Sequence, residues 1–171
     1  MVWSAPDFLD DAACTRALER HALGPEYECS TEHLVVVDDE RRAFAVRVGL
    51  EDFPDIFGRV TQAIDAWAGV TSQLWPSSTE IFRYPRGPGF GWHRDDEFRQ
   101  GGVVQRARRS FFSFVIFLND AYQGGELAFE SGVHFAPRMG LLVAWPAALR
   151  HRVSPVASGE RFVLSGANLA S

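Results

Sequence analysis

The stretch Ser110-Phe-Phe-Ser-Phe-Val-Ile-Phe-Leu118 is almost continuously apolar, the pattern of a strand covered on both faces. Around it the chain breaks into short apolar runs at 79–84, 89–93, 126–130, 133–136, 141–145, 152–156 and 161–168. Turn residues separate most of them: Pro85-Arg-Gly-Pro88, Gln123-Gly-Gly125, Pro137-Arg-Met-Gly140 and Ala157-Ser-Gly159. Upstream, Cys14, Ala17, Leu18 and His21 share one face of a helix expected over 10–23. Phe53, Ile56, Phe57, Val60, Ile64 and Trp67 stripe a second over 54–68, with Asp52 as expected N-cap and Gly69 just past its end. Between them, 34–37 and 43–48 read as a hairpin turning at 38–41. The expected fold is mainly β with flanking helices, built on a jelly-roll core.

Length and composition narrow the function. With 171 residues and no repeat or linker, the chain reads as one domain, a helical and hairpin front at 1–77 and a jelly-roll core at 78–171. It is 46% hydrophobic and 23% charged, which suits a globular protein and not a disordered one. The net charge of −5 and the lack of a basic tract argue against a nucleic-acid partner. No apolar run reaches the ~20 residues needed to span a bilayer, and the start lacks the marks of a secretion signal, so a cytoplasmic location is expected. Cys14 and Cys29 have neither disulfide-framework nor metal-pair spacing. All 17 basic residues are Arg, which removes Schiff-base and P-loop lysine chemistry and leaves Arg to hold any anion.

His93-Arg-Asp95 carries the first chemistry. On an extended strand His93 and Asp95 face one way and Arg94 the other, offering one imidazole and one carboxylate to a metal. His151, at the start of a later strand, is the best third ligand. Two His and one carboxylate with open positions are the donor set of oxygen-using non-haem Fe(II) sites. Arg161 follows ten residues on, and the turn at 155–159 is expected to fold its strand back beside that of His151. A buried Arg needs an anion, and a dicarboxylic co-substrate chelating the metal supplies one. Tyr84, nine residues before His93, is placed to add a hydroxyl to the same carboxylate.

Taken in order, Tyr84-Pro-Arg-Gly87, His93-Arg-Asp95, Arg109-Ser110, Ser113-Phe-Val-Ile-Phe-Leu-Asn119, Gly124-Gly-Glu-Leu127 and His151-Arg-Val-Ser-Pro-Val156 with Arg161 resemble the 2-oxoglutarate- and Fe(II)-dependent dioxygenases, in their prolyl 4-hydroxylase-like branch. The resemblance covers roughly 79–168. It implies a double-stranded β-helix, His93, Asp95 and His151 as catalytic iron ligands, and Arg161 and Tyr84 on the far carboxylate of 2-oxoglutarate. Ser113 matches a position where a small hydroxyl residue assists, and 124–126 shapes a turn. The implied activity is hydroxylation of an aliphatic C–H by O2, with release of succinate and CO2, on an amino acid, a peptide (prolyl by analogy) or a small metabolite. Related halogenases lack the carboxylate, so Asp95 favours oxygen chemistry.

The sequence departs from the family in two places. The family's bulky Trp six residues after the Arg is Ala167 here, so either the pocket widens or Trp145 and Trp92 fill the space. An acidic residue expected after Arg109-Ser110 is Phe111. A competing reading is an oxidative demethylase of nucleic-acid bases, which typically has a further Arg where Ala167 stands. Another is a non-catalytic metal- or 2-oxoglutarate-binding module. The glycine- and charge-rich segment 97–108 reads equally as a substrate lid or a plain connection. Arg86, Arg94 and Arg152 are placed at the border of the expected site.

Overall fold

Strand β1 (Trp3–Ala5) leads into helix α1 (Asp11–Leu23), whose first turn is capped by Asp10 Oδ1 accepting from the Ala13 N–H at 2.8 Å. Strands β2 (Tyr27–Glu28) and β3 (Phe44–Arg47) precede helix α2 (Pro54–Ala68) and strand β4 (Ser72–Leu74). The chain continues through β5 (Glu80–Tyr84), β6 (Phe90–His93), β7 (Glu97–Gln100), β8 (Val103–Arg106) and β9 (Phe111–Phe117). Then come β10 (Gln123–Gly124), β11 (Leu127–Phe129), β12 (His134–Phe135) and β13 (Leu142–Pro146). Strands β14 (His151–Val153), β15 (Val156–Ser158) and β16 (Arg161–Ala170) complete the chain. The computed structural model describes residues 1–36 and 41–171.

Apart from β7-β8 and β10-β15, which form two-stranded sheets of their own, two antiparallel sheets organise these strands. The larger runs β1-β13-β9-β16-β5-β3-β2, with β4 joined to the far end of β16. The smaller runs β12-β11-β14-β6. The central strand β9 shows why Ser110–Leu118 is apolar throughout. Phe114 and Ile116 point to one side and pack with Ile56, Phe57, Val60 and Ile64 of α2. Val115 and Phe117 point to the other and meet Leu127, Phe129 and Val153 of the smaller sheet. The core therefore has two layers: helices on one face of the large sheet, the small sheet on the other. Gly69 ends α2 in the left-handed region at φ 66°, as its position suggests. Among the described residues no helix is long and apolar enough to cross a membrane.

Three local expectations give way to longer-range contacts. Asp52 does not cap α2. Its carboxylate instead takes Arg20 Nε and the Gly49 N–H, both at 2.7 Å, and Phe53 stands at the cap without a side-chain bond, followed by Pro54 at N1. Among the described residues the two runs expected to form a hairpin do not pair with each other: β3 lies between β2 and β5, while Leu34 bridges Phe98. Val37 and positions 38–40 of that expected turn lie outside the described residues. The run 152–156 divides into β14 and β15, which enter different sheets.

Candidate functional site

His93 ends β6, and His151 opens β14 directly opposite it in the antiparallel register. Their rings lie 4.3 Å apart, both almost fully buried. Asp95 has already left the strand, so simple alternation does not place it; its own N–H, bonded to the Ala147 carbonyl at 3.0 Å, turns it back toward the two rings. Its Oδ1 stands 3.4 Å from His93 Nε2 and 3.6 Å from His151 Nε2. One ligand atom from each residue lies within 4.8 Å of the others.

The backbone settles which nitrogen of each imidazole is free. His93 Nδ1 sits 2.8 Å from the Gly91 carbonyl and His151 Nδ1 sits 3.0 Å from the Leu149 carbonyl, the same two-residue reach in both. A carbonyl only accepts, so each Nδ1 carries a hydrogen, and Nε2 is the nitrogen that each ring turns toward Asp95. Two imidazole Nε2 atoms, whose lone pairs are metal donors, and a carboxylate oxygen thus converge, an arrangement a divalent cation satisfies. Burial pushes the His151 imidazole down to about 4 against the opposing pull of Asp95, which keeps that lone pair available at neutral pH. Burial alone raises the Asp95 carboxyl, but His151, His93 and the Ser113 hydroxyl outweigh it and hold the group well below the usual carboxylate range. Trp145 adds an indole N–H to Asp95 Oδ2 at 3.2 Å. Phe90 stacks on His93 at 3.7 Å between ring centres, and Trp145 and Phe129 close on His151 at 4.8 and 5.7 Å.

Across from this cluster, on the large sheet, is Arg161. It is 1% exposed, yet its Nε and Nη1 have no hydrogen-bond partner. Tyr84 is paired with it in register, with the guanidinium carbon 4.8 Å from the Tyr84 ring centre. Arg161 thus reaches the cluster from the opposite sheet; its strand β16 lies between β9 and β5, not beside the strand of His151. A buried guanidinium with unpartnered donors calls for an anion. All six residues singled out in the sequence, His93, Asp95, His151, Arg161, Tyr84 and Ser113, line one cavity of about 360 Å³.

Other residues take places that the linear spacing does not show. The Tyr122 hydroxyl is buried and unpartnered beside Arg161, and burial pushes it up to about 12 although the guanidinium pulls the other way. Gly125, at φ 63°, lets the chain pass so close that a Cβ there would stand 3.0 Å from both Arg161 Cδ and Tyr122 Cε2. The turn at 124–126 therefore shapes the wall around Arg161. Arg94 is taken by Glu97 at 3.0 Å and Arg152 lies over Trp92, and neither they nor Arg86 line the cavity. Arg41 lines it instead. Segment 97–108 contains the β7–β8 hairpin, and none of its residues lines the cavity. The space beside Ala167 is bordered by Trp75 and Phe111, whose rings meet edge to face at 5.8 Å, so these two stand where Trp145 and Trp92 were alternatives.

Residues 79–167 match the family model described as the 2OG-Fe(II) oxygenase superfamily, slightly more than half of the chain. The chain belongs to the 2OG-Fe(II) oxygenase superfamily. This family uses Fe(II), 2-oxoglutarate and O2. The chain is 35% identical over 92 residues to a PKHD-type hydroxylase of Synechococcus sp. (strain CC9605), which covers 50% of the chain and 39% of that protein. A PKHD-type hydroxylase of Burkholderia cenocepacia is 44% identical over 84 residues, 46% of the chain and 37% of that protein. The chain thus spans about two fifths of the length of these curated relatives. Among solved structures, a 2OG-Fe(II) oxygenase family oxidoreductase from Burkholderia pseudomallei superposes with a TM-score of 0.73 at 21% identity, covering 99% of the chain and 84% of that one. A Pseudomonas putida prolyl-4-hydroxylase gives 0.62 at 22% identity, covering 99% and 91%. The superfamily's double-stranded β-helix is the fold of this chain, and the resemblance to the prolyl 4-hydroxylase-like branch holds.

Proposed function

We propose that this oxygenase hydroxylates an aliphatic C–H of an amino acid, a peptide or a small metabolite, releasing succinate and CO2. One observation carries the reading: a converging His-Asp-His triad of donors and a buried guanidinium with unpartnered nitrogens face each other across a single cavity. His93, Asp95 and His151 would hold Fe(II), and when bound the iron supplies the activation of O2 that no side chain can. The protein's own work is to hold and to exclude. Arg161 and Tyr84 would take the far carboxylate of 2-oxoglutarate, with Tyr122 packed beside the guanidinium. Ser113 and Trp145 would keep the Asp95 carboxylate oriented, while Phe90, Phe129 and Trp145 keep water from the imidazoles. The same reading takes residues 1–171 as one oxygenase domain. It is supported by β1 to β4 of the front sharing the large sheet with β5, β9, β13 and β16.

The test is an anaerobic titration of the metal-free protein with Fe(II) and then 2-oxoglutarate. A weak visible charge-transfer band is expected only when both are present, and it should be missing in Asp95→Ala. A folded protein that shows no band with both would overturn the reading.

A further inference from the structure

We infer that Arg41 anchors a carboxylate of the substrate. The site then takes a free amino acid or a similar small carboxylic acid, and not an internal residue of a peptide. The inference rests on the function proposed above and names its substrate class.

Charge accounting in the cavity leads to Arg41. Four charged side chains line it besides the two histidines: Asp95, Arg161, Glu80 and Arg41. Asp95 belongs to the donor triad and Arg161 to the co-substrate. Glu80 already accepts from the Tyr27 hydroxyl and faces Arg47 at 3.9 Å. Among the described residues Arg41 has no carboxylate partner, and its Nε is buried without a hydrogen bond. Several arginines away from the cavity hold carboxylates, as Arg83 holds Glu26 and Glu160 and Arg20 holds Asp52; among those with none in the described residues, only Arg41 and Arg161 line the cavity.

The position of Arg41 is built by the fold. Its backbone bridges Phe90, the strand residue that stacks on His93. The guanidinium carbon lies 4.2 Å from the Phe90 ring centre and 5.3 Å from that of Phe82. The positive charge thus sits one aromatic ring away from the His93 imidazole. Stacking uses the faces of a guanidinium and leaves its in-plane N–H edge free, which is the edge that forks a carboxylate. A carboxylate held there would place the carbon chain attached to it against Phe82 and Phe90, on the side of the cavity where the donor triad lies. An internal peptide residue offers a neutral amide in place of that carboxylate and would leave the half-buried guanidinium without its counter-charge.

The experiment uses the protein loaded with Mn(II) and 2-oxoglutarate under argon, titrated by calorimetry with the twenty proteinogenic amino acids as free acids and as C-terminal amides. At least one free acid should bind, its amide at least tenfold more weakly. Arg41→Gln should erase that difference while 2-oxoglutarate affinity stays within twofold, and Arg41→Lys should restore part of it. Equal binding of acid and amide overturns the inference, as does the absence of binding by every free acid. A loss of 2-oxoglutarate affinity in Arg41→Gln also overturns it, since Arg41 then serves the co-substrate. Failure to load Mn(II) and 2-oxoglutarate is seen before any amino acid is added; it brings down the proposed function itself and the inference with it.

Discussion

His93 and His151 are oriented by the carbonyl two residues before each, and Asp95 by a backbone bond to Ala147 and an indole N–H from Trp145. The donors are therefore held by groups that do not themselves touch a metal. Trp145→Phe keeps an aromatic ring, though a smaller one, but removes the N–H, and should weaken Fe(II) binding about tenfold, at the low end for a lost outer partner, read from competition with a chelator. Arg161→Ala should raise the 2-oxoglutarate requirement many-fold while leaving Fe(II) affinity close to that of the parent; an unchanged requirement would remove Arg161 from the co-substrate's site. At this scale the sequence was informative where chemistry is local. The His93-x-Asp95 spacing, His151 and the Arg161 ten residues later could be read from residue type alone. Trp145 and Arg41, which line the cavity, and Tyr122, which lies behind it against Arg161, could not, because contacts between distant segments place each of them. A buried indole N–H that must find an acceptor was the one available hint for Trp145.

Elements hold these residues at working distance. Gly125 is the tightest joint: it combines a left-handed backbone with a wall formed by Arg161 and Tyr122. Gly125→Ala should cost about 1–3 kcal/mol of stability and loosen 2-oxoglutarate more than Fe(II), measured by denaturant unfolding and the two titrations. Helix α2 supports the large sheet from behind through Ile56, Phe57, Val60 and Ile64. Ile64→Ala should cost about 2–5 kcal/mol, yet leave metal affinity intact in the folded fraction, because the helix touches none of the donors. The stripe on α2 and the two-faced strand β9 were legible because burial imposes a period on the sequence. The partner of 34–36 was not, since alternation says that a run can pair but not with which strand. Asp52 shows the same limit: it suits an N-cap locally, and Arg20, 32 residues away, takes it.

Over the whole molecule, acid and alkali should act through different groups. Burial pushes the Glu80 carboxyl from 4.5 up to about 7. The folded protein therefore holds a proton there that the unfolded chain has lost, and stability falls as pH rises from about 4.5 to about 7. Glu80→Gln should match the parent at pH 4.5 and exceed it at pH 8 by on the order of 2 kcal/mol, read from paired unfolding curves. In the opposite sense, the Arg83 guanidinium holds the Glu26 carboxyl below its ordinary value, and Arg20 does the same for Asp52. Stability from those pairs is present above the ordinary carboxylate range and is lost as pH falls through their lowered values.

The placement of the donor triad and Arg161 on opposite sheets has a mechanical result. Neither sheet shares a ladder bond with the other across the cavity. A dicarboxylate fixed at one end to metal on β6 and β14, and at the other to Arg161 on β16, would act as a brace between two sheets that otherwise meet through apolar packing. Loading with metal and 2-oxoglutarate should therefore slow amide hydrogen exchange in both sheets together. Metal alone should quieten only the smaller one.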